Sequence, residues 1–182
     1  MGNASTFAIA TGKPRELNQG GTSTTKTVFT TDGTIPVICY LPTAGQLSGA
    51  NPLGAARFAV RCWGRVVTSG TLNFTASLQA GTSATAASNT DIEDSGATSL
   101  ASLTTNWSID AELIWDGDSN RINGSGTTQV HTTLDAWTTI DNSITSYDPD
   151  AGTPLGLVVA GTFGTGAAGN KCYLDGFTIE GR

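Results

Sequence analysis

Few residues in this chain could perform chemistry. Asp110 and Glu112 stand two apart in an alternating stretch. On an extended strand both carboxyls would share one face, about 7 Å apart at two residues of strand rise. That separation suits paired acid–base work on a glycosidic bond. Outward acids opposite an apolar face are also the ordinary pattern of a solvated strand, and that reading is preferred. The run Asp116-Gly117-Asp118-Ser119-Asn120 sets oxygen atoms at alternate positions. Asp116, Asp118 and Asn120 could therefore hold a hard cation such as calcium. The sixth position is Arg121 rather than a turn-making Gly, and the twelfth is Thr127 rather than Glu. A hairpin turn is the simpler account, as it is for Asp148-Pro149-Asp150. The single histidine, His131, excludes a multi-histidine metal site and reads as a strand residue. There is no Gly-x-Ser-x-Gly elbow and no phosphate-cradling glycine loop. An enzyme is not expected, nor any cofactor beyond the calcium alternative.

Recognition has better candidates. Arg57, Arg61 and Arg65 would line one strand face, as a contact for an acidic partner or as members of internal ion pairs. Trp63 falls on that same outward face, and Trp137 lies near an expected loop. A tryptophan away from the core packs at a subunit interface or stacks on a ligand such as a sugar. The net charge is −6 and no basic cluster is present, so no nucleic-acid partner is expected. No apolar run reaches the roughly 18 residues of a membrane helix, so no membrane association is expected. No basic region precedes the short apolar stretch Phe7-Ala8-Ile9-Ala10, so a secretory leader is not expected either. Cys39, Cys62 and Cys172 are an odd, sparse set that reads as small buried hydrophobes rather than a disulfide framework.

The elements that must position these residues are strands. Charged residues make up only 13% of the 182 residues, and Gly, Thr, Ser, Asn and Ala fill the difference. This composition disfavours helices and suits pleated surfaces. Residues 1–25 lack periodicity and read as an extended N-terminal arm, and 26–182 as the folded domain. Phe58, Val60, Cys62 and Val66 alternate with Arg57, Arg61, Trp63 and Arg65. Beyond Ser69-Gly70, Leu72, Phe74, Ala76 and Leu78 alternate with polar residues, so the pair predicts a hairpin. Residues 80–105 are small and polar and read as a long surface loop. Trp107, Ile109, Ala111, Leu113 and Trp115 form the inward side of a further strand. The Gly-rich strand after it is expected to bulge at Gly124 and Gly126. Leu155 to Phe163 reads as a buried strand, and Lys171 to Glu180 as the last, slipped in register at Gly176. About eight short strands without a helix predict an all-β fold, a jelly-roll-like β-sandwich with the N-terminal arm.

Two stretches carry a family likeness. One is Trp107-Ser108-Ile109-Asp110-Ala111-Glu112-Leu113 with the following Gly124-Ser125-Gly126-Thr127. The other is Cys172-Tyr173-Leu174-Asp175-Gly176-Phe177-Thr178-Ile179-Glu180. In strand order and style the chain resembles phage virion structural proteins of the jelly-roll head-decoration (cement) or tail and fibre type. The resemblance covers roughly residues 26–182. It implies a homotrimer made in the host cytoplasm and placed on the capsid surface of the virion. There it would bind the major capsid protein and stabilise the shell. The alternative it implies is a receptor- or glycan-binding module of a tail or fibre. It implies no catalytic residue.

Overall fold

A computed structural model describes residues 6–9, 15–16, 21–31, 34–40, 55–116, 121–143 and 156–181. The strands are β1 (Thr6–Ile9), β2 (Arg15–Glu16), β3 (Thr27–Val28), β4 (Ile38–Tyr40), β5 (Ala55–Val67), β6 (Leu72–Ala80), β7 (Thr90–Asp94), β8 (Thr98–Leu100), β9 (Thr104–Asp116), β10 (Arg121–Val130), β11 (Thr133–Ser143), β12 (Gly156–Phe163) and β13 (Lys171–Gly181). They form two antiparallel sheets packed as a sandwich. The larger runs β1-β13-β5-β9-β10-β11, with β2 also on β13. The smaller runs β3-β12-β6-β7, with β4 also on β12 and β8 also on β6.

The pairing is nested. β1 and β2 join β13, β3 and β4 join β12, β5 joins β9, and β6 joins β7 and β8. Successive partners swap between the sheets, which is the wrapping of a jelly roll. Three of its eight positions are each filled by two short strands end to end, and the β10–β11 hairpin widens the larger sheet. The expected all-β jelly-roll sandwich is therefore the fold. The segment read as an arm contributes β1 and β2; the other residues of 1–20 lie outside the described ones.

The expected hairpin between β5 and β6 does not form. β5 bonds to β13 and β9, whereas β6 bonds to β12, β7 and β8 in the other sheet. Alternation reports which face is apolar, not which strand is the neighbour. Phe58, Val60 and Cys62 of β5 and Phe74, Ala76 and Leu78 of β6 meet in one core from opposite sheets. Thr68 and Ser69 carry the chain around that corner. The buried Thr68 hydroxyl donates to the Ala101 carbonyl at 2.8 Å, and the Ser69 N–H donates to Asn170 Oδ1 at 3.0 Å.

Residues 80–105 are likewise not one loop. They form β7, β8 and a single 3-10 turn at Ala86–Ser88, and they bury Ala86, Ile92 and Leu100. These strands are short and lie along one edge of β6, so their apolar pattern is too brief to stand out. The turn packs on the outer face of the smaller sheet. There Ala86 joins Val28, Val158 and Ala160 in a second, smaller core. β12 is thus buried on both faces and reads as a continuous apolar run.

His131 is a turn residue, not a strand residue. Val130 pairs with Thr133, which leaves His131 and Thr132 as a two-residue loop with His131 at φ 57°. Positive φ at the first loop position suits the right-handed twist of the flanking strands. The expected bulges are present, as register shifts between Gly124 and Gly126 and between Leu174 and Gly176. All three cysteines are buried and unbridged. Burial pushes the Cys39 thiol up to about 12, and the Cys62 and Cys172 thiols upward as well.

Candidate binding face

The outward side of the larger sheet gathers most of the residues singled out in the sequence. Along β5, Arg57, Arg61, Trp63 and Arg65 all turn away from the core, as the alternation predicts. β9 and β13 flank β5 and supply what these side chains touch. Arg61 stands opposite Asp110 in the ladder, and its Nε lies 3.1 Å from Asp110 Oδ1. Both members are mostly exposed, so the pair adds little stability but occupies the charge of each. Arg65 is held more tightly. Its Nε and Nη2 donate to the two Asp175 carboxylate oxygens at 2.9 and 3.2 Å, and its guanidinium lies 4.9 Å from the Tyr173 ring centroid. The Asp175 hydrogen bonds, and then its charge, favour the charged form of Arg65 still further. Arg57 is exposed and makes no ion pair with a described residue. The arginine stripe therefore divides into two compensated members and one open one.

Trp63 lies opposite Ser108 on one side and Gly176 on the other. Its six-membered ring rests across Gly176, where a Cβ would fall 2.2 Å from Cζ2. Gly176 follows the bulge in β13, so the missing side chain and the shifted register together make the seat. Trp63 as a residue remains 44% exposed, unlike the buried Trp107 and Trp115. Trp107 points inward, stacked on Phe29 at 5.8 Å, with its Nε1 donating to the Tyr173 carbonyl.

Among the described residues, this face carries two shallow depressions. One, of about 410 Å³, has Trp63, Asn106, Ser108, Gln129, His131 and Asp175 on its walls. Gln129 faces Ser108 across the β9–β10 ladder and donates from Nε2 to the His131 carbonyl at 3.2 Å. The His131 ring meets the Thr105 hydroxyl at 2.9 Å. Its neighbour, of about 370 Å³, is lined by Arg61, Asp110, Glu112, Ser125, Gly126 and Thr127. Asp110 and Glu112 thus do share one face and one depression. Both are exposed, and Asp110 is already paired with Arg61.

The remaining candidates are not brought together by the described residues. Asp116 ends β9, with its backbone opposite Ala55 and Arg121, while Asp118 and Asn120 lie outside the described residues. Among the described residues no group of three His, Cys, Asp or Glu could hold a metal ion. The backbone of Trp137 lies opposite Gly126 in β11, and its side chain is outside the described ones. Sequence reasoning missed Gly176, Asn106 and Gln129 as neighbours of Trp63. Their only signal is cross-strand register, which no local pattern carries. Compared with known proteins, the chain matches no family model and no curated protein sequence.

Proposed function

We propose that this protein is a structural component of a viral particle, a decoration or cement subunit that binds the outer capsid surface and stabilises the shell. One observation carries the reading: the jelly roll has a long margin of the kind that neighbouring subunits cover. β11 is an eleven-residue strand at the limit of the larger sheet, and among the described residues only β10 pairs with it. Monomeric proteins keep such edges short or charged. The edge strands β3, β4, β7 and β8 of the smaller sheet are two to five residues long. β11 is more than twice as long, and although it carries two aspartates it has no lysine and leaves its Leu134 63% exposed. Ile35 and Tyr40 stand exposed beside β4 at the margin of the smaller sheet. A block of this shape can tie its neighbours together through many weak contacts repeated by symmetry. The major capsid protein and two further copies of the chain are the partners this reading requires.

The test begins with immunogold labelling of intact particles from cells expressing the chain. Label over the head supports the reading, and label restricted to a tail tip or fibre overturns it. Purified chain added to undecorated shells should then co-sediment and raise their melting temperature. Leu134→Asp should lower occupancy without unfolding the free chain. Equal occupancy by wild type and variant would show that the β11 margin is not the contact.

A further inference from the structure

We infer that the Trp63 depression is a binding site for a neutral saccharide, with the indole as the stacking platform. This goes beyond the particle role and does not depend on it. The indole is seated rather than loose. One side of its six-membered ring rests on Gly176, and the residue is still 44% exposed. A rigid, open aromatic surface of one ring's size fits the C–H face of a pyranose, which is apolar while its rim is hydroxylated. The rest of the depression supplies groups for that rim. Asn106 and Gln129 offer amides, His131 an imidazole, and Ser108 a hydroxyl between them. The Asn106 amide makes no hydrogen bond to a described residue, and Gln129 has committed only its nitrogen, to the His131 carbonyl. Such groups both donate and accept, as sugar hydroxyls do. An apolar platform with a few convergent polar groups is the usual composition of a small-ligand site.

Charge decides the class of ligand. The carboxylate in the depression, Asp175, is closed by the bidentate bond from Arg65. No unpaired Lys or Arg lines the walls. A nucleotide would stack equally well, but its phosphates would find no cation. A cationic ligand would have to displace Arg65. A neutral hexose needs neither.

The probe is the full ¹⁵N-labelled chain titrated with methyl β-D-glucopyranoside, methyl β-D-galactopyranoside and methyl α-D-mannopyranoside, following the Trp63 indole N–H resonance. At least one glycoside should move that signal saturably, with a dissociation constant of roughly millimolar scale for so small a ligand. The signal of the buried Trp115, which lies outside the depression, should stay in place. Trp63→Ala should weaken binding about ten-fold or more. Gly176→Ala should do the same, because its new Cβ displaces the indole while the three nearest atoms it meets all belong to that side chain. Far-UV circular dichroism checks that both variants fold. The proposal fails if no glycoside moves the Trp63 resonance, or if both variants bind as wild type does. It also fails if the wild type self-associates in a manner abolished by Trp63→Ala while no sugar binds. That result would make this face a protein interface.

Discussion

Replacing Asn170 by alanine should loosen the corner between the two sheets. Asn170 is fully buried, and its side chain joins two turns that the sequence keeps a hundred residues apart. Its Oδ1 accepts from the Ser69 N–H at 3.0 Å and the Ser69 hydroxyl at 3.1 Å, and its Nδ2 donates to the Thr165 carbonyl at 3.0 Å. Alanine removes all three bonds. Each is worth about 1 kcal/mol net, so the loss is about 3 kcal/mol. For a chain of this size about 1 kcal/mol shifts the melting temperature by roughly 2–4 °C, so the expected fall is roughly 6–12 °C. Asn170→Asp is the informative companion. It keeps the acceptor for Ser69 but turns a second oxygen toward the Thr165 carbonyl, so it should not rescue the stability. Differential scanning calorimetry of the three proteins measures both effects. A fall of less than about 2 °C for Asn170→Ala would mean that water replaces these bonds at little cost and that the corner is not held by Asn170.

Three further outcomes follow from the same geometry. Gly124→Ala places a Cβ 2.2 Å from the Glu112 carbonyl oxygen, so it should cost about 1–3 kcal/mol by chemical denaturation, with the damage centred on the β9–β10 ladder. Because burial raises the thiol pKa values in the folded state, the neutral thiols contribute stability that is fully present below about 9 and lost as pH rises; for Cys39 the loss runs from 9.0 toward about 12. Urea midpoints taken across that range should fall, and a thiol reagent at about pH 8 should label the cysteines only after unfolding. Arg61→Ala should move the melting temperature by no more than about 4 °C, since an exposed ion pair contributes about 0–1 kcal/mol; a larger drop would show that Arg61 also packs.

What the sequence disclosed was the sidedness of each strand. Phe58, Val60 and Cys62 are buried and Arg57, Arg61 and Trp63 are exposed, as their alternation dictates. The bulges at Gly124 and Gly176 were also legible, because a glycine inside an alternating run marks a place where pairing slips. Sheet membership was not legible. A turn such as Ser69-Gly70 looks the same whether it closes a hairpin or carries the chain across the sandwich. Nor were β7 and β8, where one and two buried residues are too few to show a period. The candidate face was half legible. Trp63 could be placed outward, but Gly176 beneath it, Asp110 beside Arg61 and Asp175 beside Arg65 are facts of register between distant segments.

The nested pairing has a consequence for synthesis. β13, which follows the other described strands in chain order, lies in the interior of the larger sheet between β1 and β5. While the chain is still emerging from the ribosome, the β5–β9 and β6–β7 pairs can already close, but β5 has an open backbone edge where β13 belongs. β12, the middle strand of the smaller sheet, arrives only slightly earlier. The nascent chain therefore passes through a stage in which both sheets lack a central strand, and their long-range contacts close only once β12 and β13 have been made. Such a half-built sandwich exposes sticky edges to its siblings on a crowded polysome. Chaperone demand should accordingly be greatest before β12 and β13 emerge and fall once they have paired.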